Sequence, residues 1–472
     1  GHFRNPQLVG GASAMMSGFF LRLKPHDFRT RSVFGPVPGA NVADWPIDYD
    51  DLEPWYDRVE KEVGVSGLVA DLPKHLADRR SSPEFPLEPT DEHPLAWHID
   101  ERLAKAGLHP FPLPRAVLSE SRAGRGSCNY SGFCGGYGCT TGAKGGAGAA
   151  FLPRALATER CRIRPRAMVT RLETDQTGKV VSAHWIDAEG RSHTVEARTF
   201  VVACQAVESA RLLLRSRGPR HPAGLANRSG LVGRNLIFST FGGAYGDFPY
   251  AKHPDIDLAS EQPFVNRALQ DHYVIRDRGG TRKGGTLTFI LVNPSPVNAV
   301  MIEANRDPKR PRWGRALKER VKQYFQDGRH MEVEVFGEWL PTDQARVTLD
   351  PRVKDRYGLP VARINATAHP QSRKTAHWLV ERAQDHLRRL GATEVRAAPG
   401  GGFPSVNLVG GTCRFGDDPR RSVLDRNCRA HDVANLYVTD GSFMPSGGSV
   451  PFTFTIYANA LRVAHHIVTT LR

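Results

Sequence analysis

The feature that most constrains the fold lies near the C-terminal end, where a short apolar run, a polar turn and a long helical pattern follow in close order. Asn435 to Thr439 reads as a strand, Asp440-Gly441-Ser442 as the turn after it, and about Thr455 to Leu471 as a last helix. A similar unit lies upstream. Thr199-Phe-Val-Val-Ala203 is a short apolar run typical of a strand buried on both faces, and a helix from Ala206 to Arg215 follows it directly. Backbone amides at the start of a helix favour anions and polar chains. Asp440 and Gly441, delivered there by a strand, are therefore candidates to meet such a chain. Gly447 and Gly448 leave the backbone there free to approach a neighbouring group closely.

The rest of the chain supplies a second kind of architecture. Residues 1–30 read as a Gly-rich loop entering a structured element. Asp50 to Val63 has helical spacing, with Asp50 or Asp51 as cap and Leu52, Tyr56, Val59 and Val63 near one face. Residues 66–125 are Pro-rich and charged, a covering loop with short helices, and 126–148 are dense in Gly and Cys. Arg162 to Leu172 reads as a strand, and Val180 to Asp187 as another, closed by a Glu189-Gly190 hairpin turn. Alternating segments between 240 and 350, such as Gly285 to Val292 and Met331 to Phe336, predict a large antiparallel sheet. A helix from Gln371 to Leu390 follows, with Leu379, Ala383, Leu387 and Leu390 at helical spacing and Gly391 closing it.

Composition removes several classes of function. The 472 residues are enough for two or three domains, and 40% hydrophobic with 24% charged residues is ordinary for a globular chain. The net charge of +15 admits nucleic acid, an acidic partner protein or a membrane surface. The Arg residues are scattered, however, with no basic run interleaved with aromatics, so no nucleic acid is expected. A basic solvated surface is the simpler reading. No apolar stretch approaches the ~20 residues of a membrane span. The compartment stays open. The seven Cys, an odd number with three close together, do not form a disulfide framework. No Ser-His-Asp order, His-Glu-x-x-His or P-loop appears.

The run Gly411-Thr-Cys-Arg-Phe-Gly-Asp-Asp-Pro419, Ser422-Val-Leu-Asp425, Asn435 to Ser442, Pro445-Ser-Gly-Gly448 and Thr455 to Val463 closely resembles the C-terminal signature of glucose–methanol–choline (GMC) oxidoreductases. The likeness extends upstream. Val9-Gly10-Gly11-Ala12-Ser13 looks like the family's Gly-Gly-x-Ser loop beside the flavin, and Asp44-Trp-Pro-Ile47 with Tyr49 and Leu52 to Tyr56 is similar to the segment after it. Val201 to Leu214 resembles the strand–turn–helix under the FAD, with Gln205 where a Gly is usual, and Gly230-Leu-Val-Gly233-Arg-Asn235 matches another family element. The resemblance implies an α/β (α+β) fold. An FAD/NAD(P)-binding-like three-layer domain from 1–50, 150–235 and 400–472 would sit against a substrate domain over 240–400 with a large, mostly antiparallel sheet. Residues 66–149 would form covering loops and a Cys-rich loop. It also implies FAD as cofactor, with Gly10, Gly11, Ser13, Val169 (against the adenine), Ala203, Asp440, Gly441 and Thr453 as its contacts.

Two departures matter. The family opens with a βαβ unit whose Gly-x-Gly-x-x-Gly holds the FAD diphosphate. None precedes Gly10, and none occurs later in a strand-to-helix context. FAD binding is therefore expected to need a piece removed by truncation or proteolysis, or supplied as a separate polypeptide. The family's catalytic His and its His or Asn partner fall here on Leu408 and Pro451, or with a one-residue shift on Asn407, none of them a base. Other candidates are His431, Tyr457, His465 and His466, the three His reading more simply as structural or surface residues.

Cys128, Cys134 and Cys139 lie in a Gly-rich run similar to the Cys loop of gluconate, sorbitol and glucose dehydrogenase-type members, some of which carry a [3Fe–4S] cluster. A cluster, buried free thiols and zinc remain alternatives. The expected activity is oxidation of a CH–OH group on a sugar, glycoside or polyol by hydride transfer to flavin, with electrons passed to an acceptor protein. A flavin oxidase using O2 and a non-catalytic scaffold subunit are the rival readings.

Overall fold

The computed structural model describes residues 6–277, 280–307, 309–398 and 408–471, the side chains of residues 240 and 241 excepted. Its first layer is built on two parallel strands. Leu436–Val438 runs beside Phe200–Val202, with Leu436 opposite Phe200 and Val438 opposite Val202. The helix Ala206–Arg215 leaves the second of these and buries Ala206, Val207, Ala210, Leu212 and Leu213. An antiparallel meander, Met168–Thr174, Val180–Ile186 and Ser192–Glu196, lies alongside. Asn435 fastens it, since its amide donates to the carbonyls of Val180 (2.7 Å) and Arg198 (2.9 Å). The last helix, Thr453–Thr470, packs on Tyr49–Val63. Phe454 stacks on Phe20 at 4.6 Å, and the Tyr56 and Thr455 hydroxyls meet at 2.8 Å.

The second architecture is a six-stranded antiparallel sheet. Its order is Phe111–Pro112, Arg267–Leu269, Gly285–Leu291, Gly328–Gly337, Thr240–Pro249 and Thr393–Ala397. One face carries Leu287, Phe289, Met331, Val333 and Val335, all fully buried. The helix Pro370–Arg389 covers that face, burying Ala376, Leu379, Ala383 and Leu387. The contact is close enough that a Cβ on Gly285 would sit 2.7 Å from Leu379, so the glycine admits the helix. Each buried aliphatic chain contributes about 1.5–3 kcal/mol.

Several local expectations are corrected. The strand expected from Arg162 begins at Met168, because Pro165 lacks an amide and Arg166 turns left-handed (φ 55°). Asp48, not Asp50 or Asp51, caps the Tyr49–Val63 helix, accepting from the Asp51 amide while Asp51 accepts from its own. Val201 is half exposed rather than buried on both faces, since its strand has one neighbour among the described residues. Asp440 leads into a three-residue turn, Gly441–Phe443, and the long helix starts only at Thr453. The helical hairpin Pro296–Ala304 and Gly314–Gln326 interrupts the segment expected to be sheet. It is held by a fully buried Glu303 that pairs with Arg306, Arg312 and Arg320.

Candidate functional site

The Gly-rich loop supplies the first wall. Gly10 is left-handed (φ 93°), and a Cβ there would lie 3.0 Å from the Gly148 amide, so two glycines cross where side chains cannot fit. The Ser13 hydroxyl locks the crossing by donating to the Gly10 carbonyl (2.7 Å) and accepting from Ala147 (3.0 Å). Beside Gly11 a Cβ would meet nothing within 4 Å, so the backbone there borders open space.

The parallel strands supply the second. Asp440 is buried and accepts from the Ser442 amide at 2.8 Å. It also accepts from the Ser209 hydroxyl, which in turn accepts from the Cys204 amide at 3.0 Å. Burial pushes the Asp440 carboxyl up, against the pull of these donors. Ala203 is exposed at the end of its strand, as are Val169 on the meander and Cys204 beside it. Gln205 adopts φ 73°, a conformation natural to glycine, and its side chain caps the helix by accepting from Val207 (2.8 Å). The backbone thus takes the shape a Gly would take. Gln205→Ala is expected to cost about 1–2 kcal/mol more than Gln205→Gly, because alanine loses the cap and keeps the left-handed strain. Chemical denaturation of the two variants checks this, and equal midpoints would count against it.

These features fit an extended dinucleotide such as FAD, with open backbone at Gly11 and accessible apolar contacts at Val169 and Ala203. Gly10 and Ser13 would shape the loop beside it, and Asp440, Gly441 and Thr453 would border it from the C-terminal side. Bound FAD supplies a hydride acceptor, while the chain supplies the walls.

The loop 446–451 joins the two architectures. Trp45 donates its indole N–H to Ser446 (2.8 Å), and the Gly447 amide donates to Glu338 (3.1 Å). Ser449 donates to the Gly284 carbonyl (2.9 Å), and Ser239 to the Val450 carbonyl (2.9 Å). Beneath it lies a buried ionic group. Lys283 pairs with Asp27 (2.8 Å) and Glu338 (2.7 Å), and the Tyr273 hydroxyl donates to Asp27 (2.6 Å). Pro451 is buried in this loop, and Leu408 is half-buried against the core, so neither side chain presents a proton acceptor. Asn407 lies outside the described residues. His431 contacts Ser422 (2.9 Å) and the Gly416 carbonyl (3.2 Å), His465 lies against Trp55, and His466 against Tyr437. Burial pushes the Tyr457 phenol up to about 12.

Sequence reasoning treated Met331 to Phe336 as strand only, yet its alternation places Glu332 and Glu334 together on the sheet face opposite the covering helix. Thr288 stands directly across from Glu334 and Ile290 across from Glu332. On the other side are Gly243 and Tyr245, the tyrosine hydrogen-bonded to Glu332. A β-bulge at Gly242 (φ 92°) separates the Glu334–Gly243 pair from Phe336–Thr240, at the end of the sheet that Ser239 ties to Val450. Burial raises the Glu332 carboxyl to about 7, and burial with the charge of Glu332 raises Glu334 to about 8.

The expected cluster on Cys128, Cys134 and Cys139 finds no support. Among the described residues no group of three His, Cys, Asp or Glu is arranged to hold a metal ion. The thiols instead take separate local partners. Cys128 accepts from the Tyr130 amide (3.4 Å), Cys134 from the Arg115 guanidinium (3.8 Å) and Cys139 from the Lys144 amide (3.4 Å). Burial raises the Cys128 thiol. For Cys139, burial is outweighed by donors from Lys144 and Thr141, which lower it. No helix among the described residues is long and apolar enough to cross a membrane.

The chain is similar to known proteins along nearly its whole length. Two GMC oxidoreductase family patterns match residues 117–274 and 341–460. The chain is 32% identical to 6'''-hydroxyparomomycin C oxidase of Streptomyces lividus, over 98% of this chain and 79% of that protein. It is 32% identical to paromamine 6'-oxidase of Streptomyces fradiae, over 97% and 77%. With the fructose dehydrogenase large subunit of Gluconobacter japonicus the identity is 28%, over 98% and 81%. In fold it is similar to pyridoxine 4-oxidase from Mesorbium loti, with a TM-score of 0.62 at 19% identity over 98% of this chain and 84% of that one. Matched by two of the family's patterns, and with relatives of this identity along nearly its whole length, the chain belongs to the GMC oxidoreductase family.

Proposed function

We propose that this protein is an FAD-dependent oxidoreductase that oxidises a CH–OH group of a sugar, glycoside or polyol and passes the electrons to an acceptor. The observation that carries the proposal is the tethered 446–451 loop. It sets the antiparallel sheet against the segments proposed to border the flavin, and the sheet face carrying Glu334 is the proposed wall toward a substrate. In this reading residues 1–50, 150–235 and 400–472 form the FAD-binding part, 66–149 its cover, and 240–400 the substrate part. Gly10, Gly11, Ser13, Val169, Ala203, Asp440, Gly441 and Thr453 are the proposed cofactor contacts. An acceptor protein is the proposed partner, since a relative is named as the large subunit of a dehydrogenase.

The test is a visible spectrum of the native protein before and after addition of paromamine, fructose and a panel of polyols, with turnover then measured against a dye and against O2. Flavin bands that bleach with one of these alcohols support the reading, and faster turnover with O2 than with dye makes the protein an oxidase. A second reading, a non-catalytic subunit, is favoured by Leu408 and Pro451, which cannot take a proton. Absence of flavin and of turnover in the intact assembly would establish it instead.

A further inference from the structure

Recessed carboxylates in this protein are compensated, Asp440 by the Ser442 amide and the Ser209 hydroxyl and those that follow by cations. Asp27 and Glu338 share Lys283, Glu303 holds three arginines, and Glu53 and Glu60 share Arg22, with Arg80 adding to Glu60. Removal of a carboxylate from water demands such compensation. Glu332 and Glu334 break the pattern. They stand on one face of one strand, two residues apart, and among the described residues neither forms an ion pair. Arg396, paired across the sheet with Tyr245, is turned to the Tyr245 ring and to Asp247. Thr288, directly across from Glu334, is fully buried, and its hydroxyl has no hydrogen-bond partner. Two carboxylates and a hydroxyl therefore share one stretch of sheet, and among the described residues only the Tyr245 hydroxyl donates to the carboxylate pair.

We propose that Glu332, Glu334 and the Thr288 hydroxyl recognise an ammonium group, so that the preferred substrate is an alcohol that also bears an amine. The inference rests on the alcohol-oxidation reading and names the substrate class for that site. A protonated amine carries three donors and no acceptor, which complements two carboxylates and a hydroxyl lone pair. It also cancels the repulsion between the two carboxylates, which a neutral hydroxyl cannot do. A metal ion is the less suitable cation, since among the described residues no third His, Cys, Asp or Glu completes a ligand set here. The bulge beside Glu334 turns this part of the sheet away from regular pairing, as expected where a side chain is re-aimed toward a ligand.

The test uses the native, cofactor-containing protein and isothermal titration with glucosamine, a diamino sugar and glucose at pH 7.5. The amine-bearing probes are expected to bind about tenfold or more tightly than glucose. In E332Q/E334Q that ratio should fall to near one, and Thr288→Val should reduce it severalfold. A thermal melt of each variant confirms folding, and Thr288→Val keeps the test decisive should the double variant fail to fold. Equal binding of glucose and the amines, no binding of any probe, or a ratio unchanged in the variants would overturn the proposal. Amine-selective, Glu-dependent binding without oxidation of any alcohol would sustain the recognition site and overturn the oxidoreductase reading. Alcohol turnover with no preference for amines would do the reverse.

Discussion

Lys283→Met is expected to lower the stability of the folded protein by about 3–5 kcal/mol at neutral pH. Among the described residues Lys283 is the one side chain that pairs with both Asp27 and Glu338, while His26 lies 3.6 Å from Asp27 alone, and the Lys283, Asp27 and Glu338 side chains are at most 4% exposed. Burial disfavours each charge. The mutual attraction nevertheless outweighs it, holding the Asp27 carboxyl below its ordinary value and the Lys283 ammonium above its own. Without the ammonium, two carboxylates face each other in a dry interior. A depressed carboxyl gives stability that is present above its unfolded value and lost as pH falls through the folded one, so the wild-type advantage should shrink in acid. Urea unfolding at pH 7 and in acid below the ordinary 3.8 of an aspartate checks both parts. A loss below about 1 kcal/mol at pH 7 would mean that water reaches the group. Because Glu338 also anchors the Gly447 amide, flavin retention should fall with stability.

The second large effect has the opposite sign with pH. Glu332 and Glu334 have folded values raised to about 7 and about 8, above the ordinary 4.5. A group raised on folding stabilises below its unfolded value, and that contribution is lost as pH climbs through the folded one. Ligand-free protein should therefore weaken from about pH 4.5 to about pH 8, by up to ~1.4 kcal/mol per pH unit for each proton difference. The neighbours do not cancel the slope. Tyr245 stays neutral in this range, Arg396 is committed to Asp247, and His330 on the same face is held by Asp247 (2.9 Å) and the Tyr324 carbonyl (2.8 Å). E332Q/E334Q should flatten the curve and be the more stable protein at pH 8. Melting temperatures of both proteins across this range decide it, and parallel curves would sink the claim.

Much of the fold was legible because its periodicities are strong. The Ala206–Arg215 helix, the two strands feeding the site and the Gly285–Leu291 and Gly328–Gly337 strands follow from local pattern. Other elements depend on tertiary partners. The Gly314–Gln326 helix is mostly polar and is held through Glu303, a contact no local window contains. The cap at Asp48 depended on a reciprocal bond with Asp51, and three adjacent acidic residues at 48, 50 and 51 look alike in sequence. At the site, glycines announced the loop crossing, because only they fit it. Glu332 and Glu334 did not announce themselves, since a charged residue alternating with apolar ones is the ordinary mark of a solvated strand. What separates them is the missing cation, and that is visible only in three dimensions.

The loop 446–451 is fastened from four directions: Trp45, Glu338, Gly284 and Ser239. Its backbone therefore owes its course to neighbours that residue 451 does not touch through hydrogen bonds. A position held in this way works as a socket. The side chain plugged into it can change while the frame around it stays put. A chain with such a socket can exchange what stands at 451 by a single substitution, without first rebuilding the fold that carries it.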